Sequence, residues 1–130
     1  MNKTDLKEDA KYYFVPFLLG NNSASHKLSR KIYRKYKIIC FIVDKKQTLL
    51  DFFDFSSRFI NIKKTESSEL LATQLIYLAE QNEYTLPILI PCSQEYDILL
   101  ENYRERLESV FIITSKEKIL KNSPLNIIPK

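Results

Sequence analysis

The run Ile38-Ile39-Cys40-Phe41-Ile42-Val43 decides the fold, and Asp44-Lys45-Lys46-Gln47 ends it. It has no polar alternation to show to water, which is the pattern of a strand buried on both faces. Tyr12-Tyr13-Phe14-Val15-Pro16-Phe17-Leu18-Leu19, stopped by Gly20, repeats the pattern upstream. Pro16 lacks a ladder donor, so either the first half of that strand is at an edge or pairing starts near Phe17. Downstream follow Phe59-Ile60-Asn61-Ile62, Leu86 to Pro91 and Val110-Phe111-Ile112-Ile113-Thr114.

Helical periodicity fills the gaps. Asn21-Asn22-Ser23 opens a helix to about Tyr36, with Ala24, Leu28, Ile32 and Tyr36 at i, i+4 and Tyr33 broadening the stripe. Thr65 to Gln81 is a second helix, with Thr65 as cap, Glu66 and Glu69 in its first turn, and Leu71, Leu75, Leu78 and Ala79 as its stripe. Ser93 caps a third, carrying Tyr96, Leu99, Leu100, Tyr103 and Leu107. Ser115 to Lys121 has room for one or two turns. Between Thr48 and Arg58, the residues Leu49, Leu50, Phe52, Phe53 and Phe55 are too apolar for a free loop. A short helical turn or an ordered connection packed on the sheet is expected there, its aromatics serving as core. The resulting class is α/β: three layers, α/β/α, around a mainly parallel sheet of about five strands. Residues 1–11 form a polar leader, 12–121 the α/β domain and 122–130 an apolar tail.

Composition removes several chemistries. The chain has 130 residues, 45% of them hydrophobic, which is one domain with one core. A single Gly excludes GxGxxG and GxxxxGK[ST] loops, and a single His excludes HExxH zinc sites. Two Cys make no disulfide framework. No signal-peptide pattern is present, and no apolar run approaches the roughly 20 residues of a membrane span. A soluble, cytoplasmic chain is expected. The net charge of +4 is too mild to point to a nucleic-acid partner by itself.

Ligands of parallel sheets bind beyond the carboxyl ends of the strands. That nominates three places: Gly20 to Ser23, Asp44 to Lys46 and Pro91 to Tyr96. Gly20, Asn21, Asn22 and Ser23 turn a strand into a helix, and no Asp or Glu occurs from Gly20 through Val43. A carboxylate or phosphate at that helix start would meet free amides and a partial positive charge. The plain alternative is an N-cap after a turn. Pro91, Cys92, Ser93, Glu95 and Tyr96 are expected to line the same cleft. Cys92 as a nucleophile, with His26 as base, lacks a third orienting group, and a half-buried packing role is preferred. Cys40 is core. No catalytic residue and no metal ligand is assigned. Lys27, Arg30, Lys31, Arg34, Lys35 and Lys37 form a basic helix face with Tyr33 and Tyr36 on the core side; a solvated face is expected, with neither nucleic acid nor membrane as partner.

The order and spacing of Phe14-Val15-Pro16-Phe17-Leu18-Leu19-Gly20, Tyr33-Arg34-Lys35-Tyr36, Ser56-Ser57-Arg58-Phe59, Leu86-Pro87-Ile88-Leu89-Ile90-Pro91-Cys92, Glu95-Tyr96, Glu101-Asn102-Tyr103 and Phe111-Ile112-Ile113 resemble a known family. It is the N-terminal, pre-ATP-grasp domain of the D-aspartate ligase-like group of ATP-grasp carboxylate–amine ligases, from about Tyr12 to Thr114. The resemblance implies a Rossmann-like fold, similar to the N-terminal domain of biotin carboxylase. It implies a domain that holds a small carboxylate or amine substrate and is not catalytic by itself. ATP and magnesium would belong to ATP-grasp domains beyond this sequence, and this chain would carry no cofactor. Asn21-Asn22 departs from the Gly or Asp usual after the strand-ending Gly. The chain is expected to be a fragment of such a ligase, or a small relative without the catalytic part. The partners implied are its own C-terminal ATP-grasp domains, and a homodimer is compatible. The competing reading is a stand-alone interaction or regulatory module that uses the basic first helix.

Overall fold

The structure is a computed structural model that describes residues 14–63, 67–81 and 86–121. The expected leader, Tyr12 and Tyr13, the Thr65 cap with Glu66, and the 122–130 tail lie outside the described residues. Five strands form one sheet: β1 (Phe14–Leu19), β2 (Cys40–Asp44), β3 (Ser57–Asn61), β4 (Leu86–Pro91) and β5 (Ile112–Ile113). The order is β3-β2-β1-β4-β5, and every neighbouring pair is parallel. Four α-helices lie among the described residues: α1 (Ser23–Tyr36), α2 (Ser68–Glu80), α3 (Gln94–Glu108) and α4 (Lys116–Lys121). The fold is the expected three-layer, Rossmann-like α/β/α sandwich.

The period of two along each strand divides the core. Phe14, Leu18, Cys40, Ile42, Ile88 and Ile90 face α1 and α4, packing on Leu28, Ile32 and Ile119. Phe17, Leu19, Val43 and Leu89 face α2 and α3, packing on Leu71, Leu75, Tyr96, Leu100 and Leu107. All-apolar strands are the consequence of having a helix layer on each side.

The prolines sit where pairing permits. β1 is central rather than at an edge, and its register with β2 begins at Phe17, one residue after Pro16. Pro87 likewise precedes the β4–β5 register, which begins at Ile88. β5 is shorter than the apolar run Val110 to Thr114 predicts. The turn that ends α3 takes the start of that run: Phe111 N–H donates to Leu107 O at 2.8 Å. α1 ends at Lys37, which adopts the left-handed conformation at φ 59° and donates its N–H to Tyr33 O at 2.8 Å. Residues 38 and 39 therefore precede β2 instead of opening it.

One expectation fails. The connection from β2 to β3 holds a short 3-10 turn, Leu49–Phe52, and its large apolar side chains are not core. Leu49, Phe52, Phe53 and Phe55 are 77%, 68%, 75% and 89% exposed. The reason lies with their neighbours Asp51, Asp54 and Ser56, which turn inward to His26 and Ser29 of α1 (below).

Phe17 stacks on Phe41 at 5.4 Å between ring centroids and meets Phe111 edge-on at 5.6 Å, with no solvent exposure. Phe17→Ala is expected to cost about 3–5 kcal/mol, a large share of a domain's stability. Urea unfolding of the two chains measures it.

Candidate functional site

The reversal of strand order falls between β1 and β4. β1 leads to β2 on one side, and the chain returns from β3 to β4 on the other, so a crevice opens beyond their carboxyl ends. The three nominated turns meet there. Gly20 N–H donates to Val43 O, and Cys92 N–H donates to Leu19 O at 2.8 Å. Asn21 N–H donates to Asp44 Oδ2 at 2.7 Å, and the Tyr96 hydroxyl donates to Asp44 Oδ1 at 2.9 Å. Asn22 Nδ2 donates across the crevice to Cys92 O at 3.0 Å. Gly20 has φ +116°, where L side chains are strained, and an added Cβ would lie 3.5 Å from Ser93 Cβ.

Most of these polar groups are engaged with one another. Asn22 caps α1: its Oδ1 accepts from Ser25 N–H at 2.9 Å, and Ser25 Oγ accepts from Asn22 N–H at 3.1 Å. The first bond inside the helix is His26 N–H to Asn22 O, so the amides of Ser23 and Ala24 come before it. Both residues are exposed. Beside them is a cleft of about 370 Å³, lined by Ala24, Leu28, Pro91, Cys92, Ser93, Gln94, Asp97, Ser115, Lys116 and Glu117. Pro91, Cys92 and Ser93 line it as nominated. Glu95 instead reaches out to pair with Lys45, and Tyr96 is buried beneath Asp44. Burial, then the bond to Asp44, pushes the Tyr96 hydroxyl up. Lys116 and Asp97 were not singled out from the sequence; only the packing of α4 against α1 brings Lys116 to the cleft.

Cys92 does not meet His26. Its Sγ contacts Ile90 O at 3.7 Å, and burial pushes its thiol up to about 12. Cys40 is fully buried and is pushed up further by the same cause.

His26 belongs to a second cluster, which the sequence did not reveal. The ring is 1% exposed. Its Nδ1 lies 2.6 Å from Asp54 Oδ2, and its Nε2 lies 2.9 Å from Asn21 Oδ1 and 3.1 Å from Asp51 Oδ1. Both ring nitrogens are thus engaged within the fold. The carboxylates are saturated in turn. Asp54 accepts from Ser29, Ser57 and the Ser56 backbone amide, the last at 2.9 Å. Asp51 Oδ2 accepts from Thr48 N–H and from Asn21 Nδ2, each at 2.7 Å. The signal was present in α1: His26 and Ser29 stand three residues apart on one face of the helix, just after Asn21. Comparison with family models, curated proteins and solved structures finds no match to this chain.

Burial pushes the Asp54 carboxyl up, but hydrogen bonds from Ser56, His26 and Ser57 outweigh it and hold it at about 2, below its usual 3.8. A lowered value stabilises the fold above the ordinary carboxylate range. That contribution is present above the unfolded carboxyl's 3.8 and is lost as pH falls toward 2. Asp54→Asn is expected to flatten the acid limb of stability against pH, followed by denaturant melts. At about pH 8, Cys92 is expected to react with iodoacetamide at least about 100-fold more slowly than a free thiol, because the thiolate is the nucleophile. Mass spectrometry of timed samples checks it.

Proposed function

We propose that the chain is a substrate-side domain of an ATP-dependent carboxylate–amine ligase, holding a small carboxylate or its acyl phosphate in the cleft between β1 and β4. The observation that carries this reading is the meeting of an acid-free helix start with a cation at a strand-order reversal. Ala24, in the first turn of α1, and Lys116 line one cleft. Helix N-termini favour anions, and a lysine opposite adds a full charge. Asp97 and Glu117 on the cleft wall suit the ammonium group of an amino-acid substrate.

Such a domain positions its substrate and leaves phosphoryl transfer to the ATP-grasp domains. Phosphoryl transfer needs metal ions and fixed cations around the phosphates. Among the described residues there is no group of three or more His, Cys, Asp or Glu side chains arranged to hold a metal ion. On this reading ATP and magnesium would be held by those other domains, in the cytoplasm.

Titration of the chain with phosphate or aspartate, followed by backbone amide shifts, tests the reading. Shifts are expected at Ser23, Ala24, Ser25 and Lys116, and Lys116→Ala is expected to weaken binding roughly tenfold through loss of one charged contact. Shifts confined to Arg30 and Arg34, with none at the cleft, would refute it.

A further inference from the structure

The connection between β2 and β3 presents a surface that the cleft does not use. Leu49, Phe52, Phe53 and Phe55 project into solvent at 68–89% exposure. Beside them α1 carries Arg30, Tyr33 and Arg34, which share a notch of about 240 Å³ with Phe53 and Phe55. Tyr33 is 41% exposed, so it stands among the cations, correcting the expectation that it lies on the core side. Lys37 Nζ lies 5.6 Å from its ring centroid.

The charges around this tip are segregated. The acids between Gly20 and Lys63 are Asp44, Asp51 and Asp54, and all three carboxylates are engaged inside the fold. Asp54 also lines the notch, but its carboxylate is 4% exposed and turned to His26. What remains outside is apolar or cationic, with Lys27, Arg30, Lys31 and Arg34 along one helix. The apolar side chains are 68–89% exposed, and the notch beside Phe53 and Phe55, about 240 Å³, is too small to seat a helix. A tip inserts into a deformable medium, whereas a helical peptide needs a concave seat.

We propose that this surface docks on an anionic phospholipid bilayer, with Phe52, Phe53 and Phe55 entering the acyl boundary and Arg30 and Arg34 binding headgroup phosphate. Two signals of this kind, an apolar insertion and a basic patch, are what reversible membrane attachment requires. Among the described residues no helix is long and apolar enough to cross a membrane, so the attachment is to the surface. The proposal is independent of the ligase reading, because none of these side chains lines the cleft.

The chain lacks Trp, so Phe53→Trp gives a single fluorescent reporter at the tip. The test mixes the full chain with sedimenting vesicles of phosphatidylcholine alone or of phosphatidylcholine with phosphatidylglycerol. Expected are a partition at least about tenfold stronger onto the anionic vesicles, weakened by salt, and a blue-shifted Trp emission. Arg30→Glu with Arg34→Glu, and separately Phe52→Ser with Phe53→Ser and Phe55→Ser, should each reduce binding at least about tenfold. Circular dichroism melts should match the parent, since none of these side chains is buried; if a variant fails to fold, the reporter alone decides. No binding to either vesicle, equal binding to both, or unshifted Trp emission would overturn the proposal. So would a folded Phe variant that binds undiminished. Two further outcomes also overturn it: a dimer that the Phe substitutions dissolve, or an acidic peptide that binds where vesicles do not.

Discussion

The burial of His26 between Asp54 and Asp51 sets the relation between the first helix and the rest of its layer. Groups of this polarity are costly to remove from water unless each finds partners. Here each does: both ring nitrogens face acceptors, and the carboxylates accept from Ser29, Ser56, Ser57 and backbone amides. Removing one member would leave its neighbours short of a buried bond, so the cluster is coupled. It occupies the place where a second helix would cover the β2–β3 side of the sheet. The crossover is a short turn instead, and the polar cluster ties it to α1.

That arrangement turns the connection inside out. Asp51 and Asp54 stand three residues apart, on one side of the turn, and both point to α1. Leu49, Phe52 and Phe53 then have the other side left to them, and that side is solvent. The same helix is fixed at its start by Asn22, which reaches across to Cys92 O. One rigid helix thus contributes its first turn to the cleft and its later turns to the basic and apolar surface.

The strands were legible because burial on two faces leaves no polar alternation, and Ile38 to Val43 and Ile88 to Ile90 carry that pattern openly. Helix starts at Asn22 and Ser93 were legible because the capping side chain is itself part of the sequence. The cleft was legible only in part. Pro91, Cys92 and Ser93 follow from the end of β4, whereas Lys116 reaches the cleft through the packing of α4, which no local pattern encodes. Phe52, Phe53 and Phe55 were misread because apolar residues in an ordered segment are ordinarily core. The contrary signal was dispersed: a lone His26 and two acids twenty-five and twenty-eight residues on, whose mutual bonds take the inner side of the turn.

An aromatic side chain that stays in water in the folded state contributes little to folding. Serine at Phe52, Phe53 and Phe55 would leave both core clusters as they are, because none of the three belongs to either. It would also remove an association hazard, since exposed apolar side chains invite unspecific contact. The fold therefore gives no account of these residues, and neither does the cleft, which they do not touch. Their bordering cations narrow what can. A neutral apolar partner would gain nothing from Arg30 and Arg34, and a nucleic acid would meet cations with side chains that project singly rather than a flat stacking platform. A negatively charged surface soft enough to admit protruding rings answers both halves of the pattern at once.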